Sequence, residues 1–160
     1  MPARTEALLV YGADLVLPGG PWQVHESDDD GVLTRPWARQ GVDGDGEPLS
    51  DVETAILVLY SAIPGVERVA PPYPWQWEEP VFDHWGVKFV RYGTSEEPGW
   101  LIASAARACG LAGVEPLEMR VLVARADEER RQAQLGRALG KLGLTPLAPI
   151  SWYLTVWTPC

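Results

Sequence analysis

The chain has 160 residues, 46% of them hydrophobic, which predicts one globular domain over residues 1–160. Its 22 acidic and 13 basic residues give a net charge of -9, which argues against direct nucleic-acid binding, because phosphate contacts need clustered lysine and arginine. No run approaches the roughly 18 apolar residues needed to cross a bilayer. The N-terminus is also a poor secretory signal, so we expect a cytoplasmic protein without membrane contact.

The chain opens with a predicted strand followed by a long polar insertion. Residues 6–17 are rich in β-branched and aromatic side chains, a composition typical of a buried strand. Residues 18–48 are rich in glycine, proline and aspartate, and a connection of this length is usually functional, mobile or folded as a small hairpin. We predict hairpin arms at 22–24 and 31–34 and expect the insertion to be dispensable for folding but not for function.

A helix is predicted to begin after Ser50. Glu53 lies three residues further on, the capping-box spacing, and apolar residues follow at helical intervals as far as Pro64. Residues 66–81 form a segment rich in proline and tryptophan. Because 71–80 contains four prolines, we predict an extended surface segment there and neither a helix nor a central strand.

The second half of the chain contains three predicted strands and one helix. Alternation of side chains indicates a strand over 85–92. The alanine-rich run 100–109 leaves two alternatives open: its alanines suit a helix by propensity, whereas its shortness and the hairpin-like break before it suit a strand. Acidic residues at 127–129 favour the first turn of a helix that ends near Gly143, and 150–157 is the last strand.

This order predicts an α+β fold. Strand, helix, strand, strand, helix, strand is the β-α-β-β-α-β pattern of a ferredoxin-like two-layer sandwich, here with the long insertion 18–48 after the first strand. A helix at 100–109 would give a three-helix α/β arrangement instead, which is the alternative. The apolar run 117–125 suits either a strand or a helix.

Short motifs are spread over most of the chain: VYGADL at 10–15 with a following tryptophan, GVKFVRY at 86–92, and LGLTP at 142–146 before a Trp-Tyr pair. In these motifs the chain resembles small uncharacterised acidic proteins encoded by actinobacterial phages and prophages. The resemblance implies a phage or prophage origin, a shared fold and a strand at 100–109. It brings no activity, cofactor or site residues.

Neither metal binding nor catalysis has a clear motif. Acidic loops at 25–31 and 43–47 could offer oxygen ligands, but counting from Asp43 places a proline where an EF-hand needs glycine, and we interpret both as solvated loops without a metal. Asp83 beside His84 could orient an imidazole. There is no nucleophile elbow and no phosphate loop, so we assign no catalytic residue and expect no cofactor.

Large aromatic residues in predicted loops are the most informative feature. Exposed tryptophan and tyrosine are typical interface anchors, although these side chains could instead cover one face of the sheet. The predicted partner-binding residues are Trp22, Trp37, Tyr73, Trp75 and Trp77.

The function predicted from these features is a non-enzymatic protein-interaction factor of phage or prophage origin. It would bind a host or defence protein through the loop aromatics and an acidic surface. The charge is polarised, with 17 acidic and 6 basic residues in 1–100 against 5 and 7 in 101–160. Two alternatives stay open: a virion or assembly component, and a small hydrolase-like enzyme that uses Asp83, His84 and a carboxylate from the loop 26–30.

Overall fold

A four-stranded sheet and three helices account for the regular structure in a computed structural model that describes residues 6–38, 40–66, 69–109 and 125–158. Most of the predicted apolar run 117–125 therefore lies outside the described residues. The elements in chain order are β1 (Glu6–Val16), α1 (Asp51–Ser61), α2 (Trp75–Trp85), β2 (Lys88–Thr94), β3 (Pro98–Cys109), α3 (Arg125–Leu142) and β4 (Ser151–Thr158). The predicted α+β class is confirmed.

The sheet runs in the order β4-β1-β3-β2. β1 is antiparallel to both β3 and β4, and β2 is antiparallel to β3. A short parallel pairing of Gly93 with Trp157 joins β2 to β4 and closes the sheet into a barrel. The strand predicted at 100–109 is confirmed as part of β3, which removes the alternative that required a helix there.

The helix α2 corrects the prediction of an extended segment at 71–80. Most of the prolines precede the first helical turn, where a missing N–H costs no intrahelical hydrogen bond, and Pro80 alone lies inside the helix. Trp77, Val81 and Trp85 recur every four residues and are all buried, so packing against the core outweighs the loss at Pro80. Because of α2 and the barrel closure, the ferredoxin-like prediction holds only as a mixed α+β fold with a four-stranded sheet.

The two faces of the sheet carry separate apolar clusters, as alternation along a strand requires. Tyr11 and Ile102 point to the larger cluster, which also contains the buried residues of the three helices. Val10 and Leu101, their neighbours in sequence, belong to a smaller cluster formed by strand residues alone. The indole N–H of Trp85 donates to the carbonyl of Leu59 at 2.9 Å and ties α2 to α1.

The insertion 18–48 packs into the larger cluster. Trp22, Val24 and Leu33 are buried there. Ser27 pairs with Leu33, whereas Trp22 and Val24 of the predicted first hairpin arm pair with Val16 and Pro146. The carboxylate of Glu26 accepts hydrogen bonds from the backbone and hydroxyl of Thr145, at 2.7 and 2.9 Å. This burial argues against the expectation that the insertion is dispensable for folding.

Truncating Leu33 should therefore destabilise the protein. Leu33 is 6% exposed, and Leu33→Ala should lower the free energy of unfolding by about 2–5 kcal/mol, because it removes buried apolar surface and leaves a cavity. Val42 lies in the same insertion but is 61% exposed, so Val42→Ala should change the free energy of unfolding by less than about 0.5 kcal/mol. Chemical denaturation of both variants measures the difference, and equally small losses would contradict the packing described above.

Candidate protein-binding surface

Exposed aromatic side chains come together at the start of α2. Trp75 is 69% exposed, and the Tyr73 ring lies nearly parallel to its indole, with 6.3 Å between ring centroids and 10° between planes. Phe82 is 46% exposed and follows Trp75 by seven residues, about two helical turns. The two side chains therefore lie on the same outer face of α2.

Carboxylates lie at both ends of this aromatic group. The Tyr73 hydroxyl donates to Asp45 Oδ1 at 3.4 Å. A Cβ on Gly44 would come within 2.9 Å of the Tyr73 ring, so this acidic turn rests directly on the tyrosine. Glu79, which is exposed, follows Trp75 by four residues, which places their Cβ atoms about 5–6 Å apart. We call Asp45, Tyr73, Trp75, Glu79 and Phe82 the aromatic–acidic surface.

The other three predicted anchors lie away from this surface. Trp22 and Trp77 are buried in the core, Trp77 with only 2% of its surface exposed. The indole N–H of Trp77 donates to the carbonyl of Pro71 at 2.8 Å, and that of half-buried Trp37 donates to the carbonyl of Leu142 at 2.9 Å. These three side chains stabilise the fold. Loop position alone did not separate them from Tyr73 and Trp75.

Sequence reasoning missed Phe82. The signal was its spacing of seven residues from Trp75, which defines a common face only on a helix. The prolines of 71–80 predict an extended segment, in which that spacing has no such meaning.

The two acidic loops form matching turns. Asp28 Oδ1 accepts from the backbone N–H groups two and four residues further on, at 3.0 and 2.8 Å, and Asp43 Oδ1 does the same at 2.9 Å. Gly31 and Gly46 take the positive φ that each turn requires. Local hydrogen bonding thus explains why aspartate occupies both positions. Within the described ranges, no three or more histidine, cysteine, aspartate or glutamate side chains gather into a possible metal site.

Asp83 and His84 lie exposed near the end of α2. The His84 ring meets the Trp85 ring edge-on, with 5.3 Å between the ring centroids. The backbone carbonyl of His84 accepts a hydrogen bond from Arg137 Nη2 at 2.7 Å. In the part of the chain that the structure describes, neither Asp83 nor His84 has a polar side-chain contact with the loop 26–30. Within the described residues, the structure therefore does not bring Asp83 or His84 together with the loop that the hydrolase alternative requires.

The half-buried carboxyl group of Asp14 lies beside Tyr92, which packs against the smaller cluster. Tyr92 donates its hydroxyl proton to Asp14 Oδ1 at 2.9 Å, a link from β2 to β1 across β3. Burial raises the pKa of the Asp14 carboxyl, and the hydrogen bond from Tyr92 only partly opposes this rise. Burial also raises the pKa of Tyr92 and of Tyr153. We assign this group a structural role, because its hydrogen bond joins elements of the barrel.

No protein-family model, curated protein or solved structure matches this chain. Among the helices of the described ranges, none combines the length and the apolar character needed to cross a bilayer. The role of the protein is therefore inferred from the chemistry of its own surface.

The raised pKa of Asp14 predicts a pH-dependent effect of Asp14→Asn. A carboxyl whose pKa is higher in the folded than in the unfolded state costs stability as the pH rises and the group ionises. Asparagine keeps an acceptor for the Tyr92 hydroxyl without the charge. We expect Asp14→Asn to raise the melting temperature near pH 8 and to lose this advantage towards about pH 4. Thermal denaturation across that range measures it, and a loss of stability that is the same at every pH would contradict the prediction.

Proposed function

We propose that this protein is a non-enzymatic interaction factor that binds a partner protein through the aromatic–acidic surface. The observation that carries the proposal is the exposure of Trp75, 69% of whose surface faces solvent while Tyr73 lies parallel to it. Folded proteins bury most of the surface of a tryptophan. Tryptophan and tyrosine also supply much of the binding energy at protein interfaces, so an exposed Trp75 beside a half-buried Tyr73 is suited to contact a partner.

The surface is held ready for contact. Pro72 and Pro74 flank Tyr73 and restrict the backbone on both sides. The backbone N–H of Tyr73 donates to Gln76 Oε1 at 3.1 Å, which fixes the segment against the first turn of α2. A side chain that is already ordered loses less conformational entropy on binding, so more of its contact energy contributes to affinity.

The charge of the surface favours a basic partner. Asp45 and Glu79 border the aromatic group, and the whole chain carries a net charge of -9. Opposite charge on a partner would increase the rate of encounter, and an acidic partner would be repelled. Because this negative charge would also repel phosphate groups, the proposal does not include direct binding to nucleic acid.

The resemblance of the motifs at 10–15, 86–92 and 142–146 to phage and prophage proteins extends the proposal to the kind of partner. A protein of that origin would act in the cytoplasm of a host cell, so we propose a host or defence protein as the partner. This part of the proposal is supported by the sequence resemblance alone.

A virion or assembly component is the second candidate, and a different observation favours it. Leu154 and Val156 on β4 are 69% and 46% exposed, and such apolar side chains often mark a contact between copies. Light scattering during size-exclusion chromatography separates the two candidates. A monomer supports the interaction factor, and a defined oligomer that Leu154→Ser dissociates supports the assembly component.

Truncating Trp75 should remove binding without unfolding the protein. We expect Trp75→Ala to weaken capture of the partner by about 2 kcal/mol or more, because it removes the most exposed aromatic anchor. It should change the free energy of unfolding by less than about 0.5 kcal/mol, whereas Trp77→Ala, in the core, should cost about 3–5 kcal/mol. Affinity capture with quantitative mass spectrometry measures binding, and denaturation measures stability.

Leu147→Ala is the matched control, since Leu147 is exposed and lies outside the aromatic–acidic surface. It should capture the same proteins as the wild type. A Trp75→Ala variant that also retains every specific partner would refute the proposed function.

A further inference from the structure

We infer that the open face of Trp75 receives an arginine side chain from a basic segment of the partner, with Glu79 as the acceptor of its guanidinium hydrogen bonds. This inference rests on the proposed function, because it names the chemistry that the aromatic–acidic surface would recognise. Three observations support it: the arginine contacts of other tryptophans in the chain, the position of Glu79 and the hydrogen bonding of Asp45.

Elsewhere in the molecule, tryptophan rings are covered by guanidinium groups. Three such pairs occur within the approximate 6 Å limit for a cation–π contact, on β4 and on α2. The pairs are Arg91 over Trp157 at 3.9 Å, Arg137 over Trp85 at 5.1 Å and Arg131 over Trp152 at 5.4 Å. An arginine therefore lies over the indole in three places, on the half-buried Trp152 and Trp157 and on the buried Trp85.

Trp75 differs from these three tryptophans. It is the most exposed large apolar side chain on α2, and among the described residues no arginine or lysine lies over its ring. The contact that it does make is with the ring of Tyr73, which holds the indole in place. An indole that is held in place and open to solvent is available to a cation from outside the chain.

Glu79 lies where it could pair with a guanidinium group stacked on Trp75. The two residues are four apart on α2, so their Cβ atoms lie about 5–6 Å from each other on one face. A guanidinium group is planar and can stack on an indole while its edge donates two hydrogen bonds to a carboxylate. A lysine ammonium is a compact charge that can neither stack as a plane on the indole nor pair in a bidentate way with the carboxylate, so the surface favours arginine.

Asp45 extends the recognition to a second basic residue. Its Oδ1 accepts from the Tyr73 hydroxyl, and Oδ2 has no hydrogen-bond partner in the part of the chain that the structure describes. Asp45 thus lies at Tyr73, and Glu79 follows Trp75 by one helical turn, so each ring of the stacked pair has a carboxylate near it. A flexible segment with several arginines matches this arrangement, because one side chain would stack on Trp75 while another pairs with Asp45.

The test uses a defined probe and the full chain. The probe is a fluorescein-labelled peptide with three Arg-Gly-Gly repeats, compared with two peptides of the same length in which lysine or citrulline replaces every arginine. Fluorescence anisotropy at low salt measures binding to the wild type and to Trp75→Ala, Glu79→Gln and Leu147→Ala. We expect the arginine peptide to bind about tenfold more tightly than the citrulline peptide and several-fold more tightly than the lysine peptide.

The variants identify the site of binding. Trp75→Ala should abolish the preference for arginine over lysine, and Glu79→Gln should weaken binding and reduce its dependence on salt. Leu147→Ala should behave as the wild type. Equal binding of the arginine and lysine peptides, an unchanged preference in Trp75→Ala, or no binding at millimolar peptide would each overturn the inference.

Failure of this inference is distinguishable from failure of the proposed function. If Trp75→Ala loses its captured partner but the arginine peptide shows no preference, the interaction role stands and the arginine chemistry is wrong. If the peptide binds as expected but partner capture does not depend on Trp75, the surface recognises arginine and the proposed function fails.

Discussion

The burial of one face of α2 is the constraint on which the rest of the surface depends. Trp77, Val81 and Trp85 pack into the larger cluster. The hydrogen bond from the Trp85 indole N–H to the Leu59 carbonyl holds α2 against α1. A helix that buries these positions must turn the opposite face outward. Trp75 is therefore exposed as a consequence of packing and not because the core lacks room for aromatic side chains.

The insertion contributes to the core and to the candidate site at the same time. The buried side chains of the insertion pack into the larger cluster. Glu26 also accepts hydrogen bonds from Thr145, in the segment that follows α3. Burial by itself would raise the pKa of Glu26, but these hydrogen bonds and the nearby His25 lower it overall, so this link weakens when acid protonates the carboxylate. An insertion anchored in this way can carry the acidic turn to Tyr73 in a defined position.

The aromatic–acidic surface combines two kinds of recognition. Aromatic rings provide area and a face for cations, and the bordering carboxylates provide direction and favour positive charge. Both carboxylates belong to the first hundred residues, where the acidic excess of the chain lies. The polarity seen in the composition therefore has a structural counterpart in the aromatic–acidic surface.

Local patterns in the sequence determined the elements whose signals are contained within a few residues. The capping box of Ser50 and Glu53 is formed as predicted, since both reciprocal hydrogen bonds depend only on a spacing of three. Tertiary structure alone decided that Trp77 is buried and Trp75 exposed, although they are two residues apart in the same proline-rich segment, because the core selects one face of the helix. It also decided that Asp45 meets Tyr73, 28 positions away, since a contact across that distance depends on how the insertion and α2 pack on a common core.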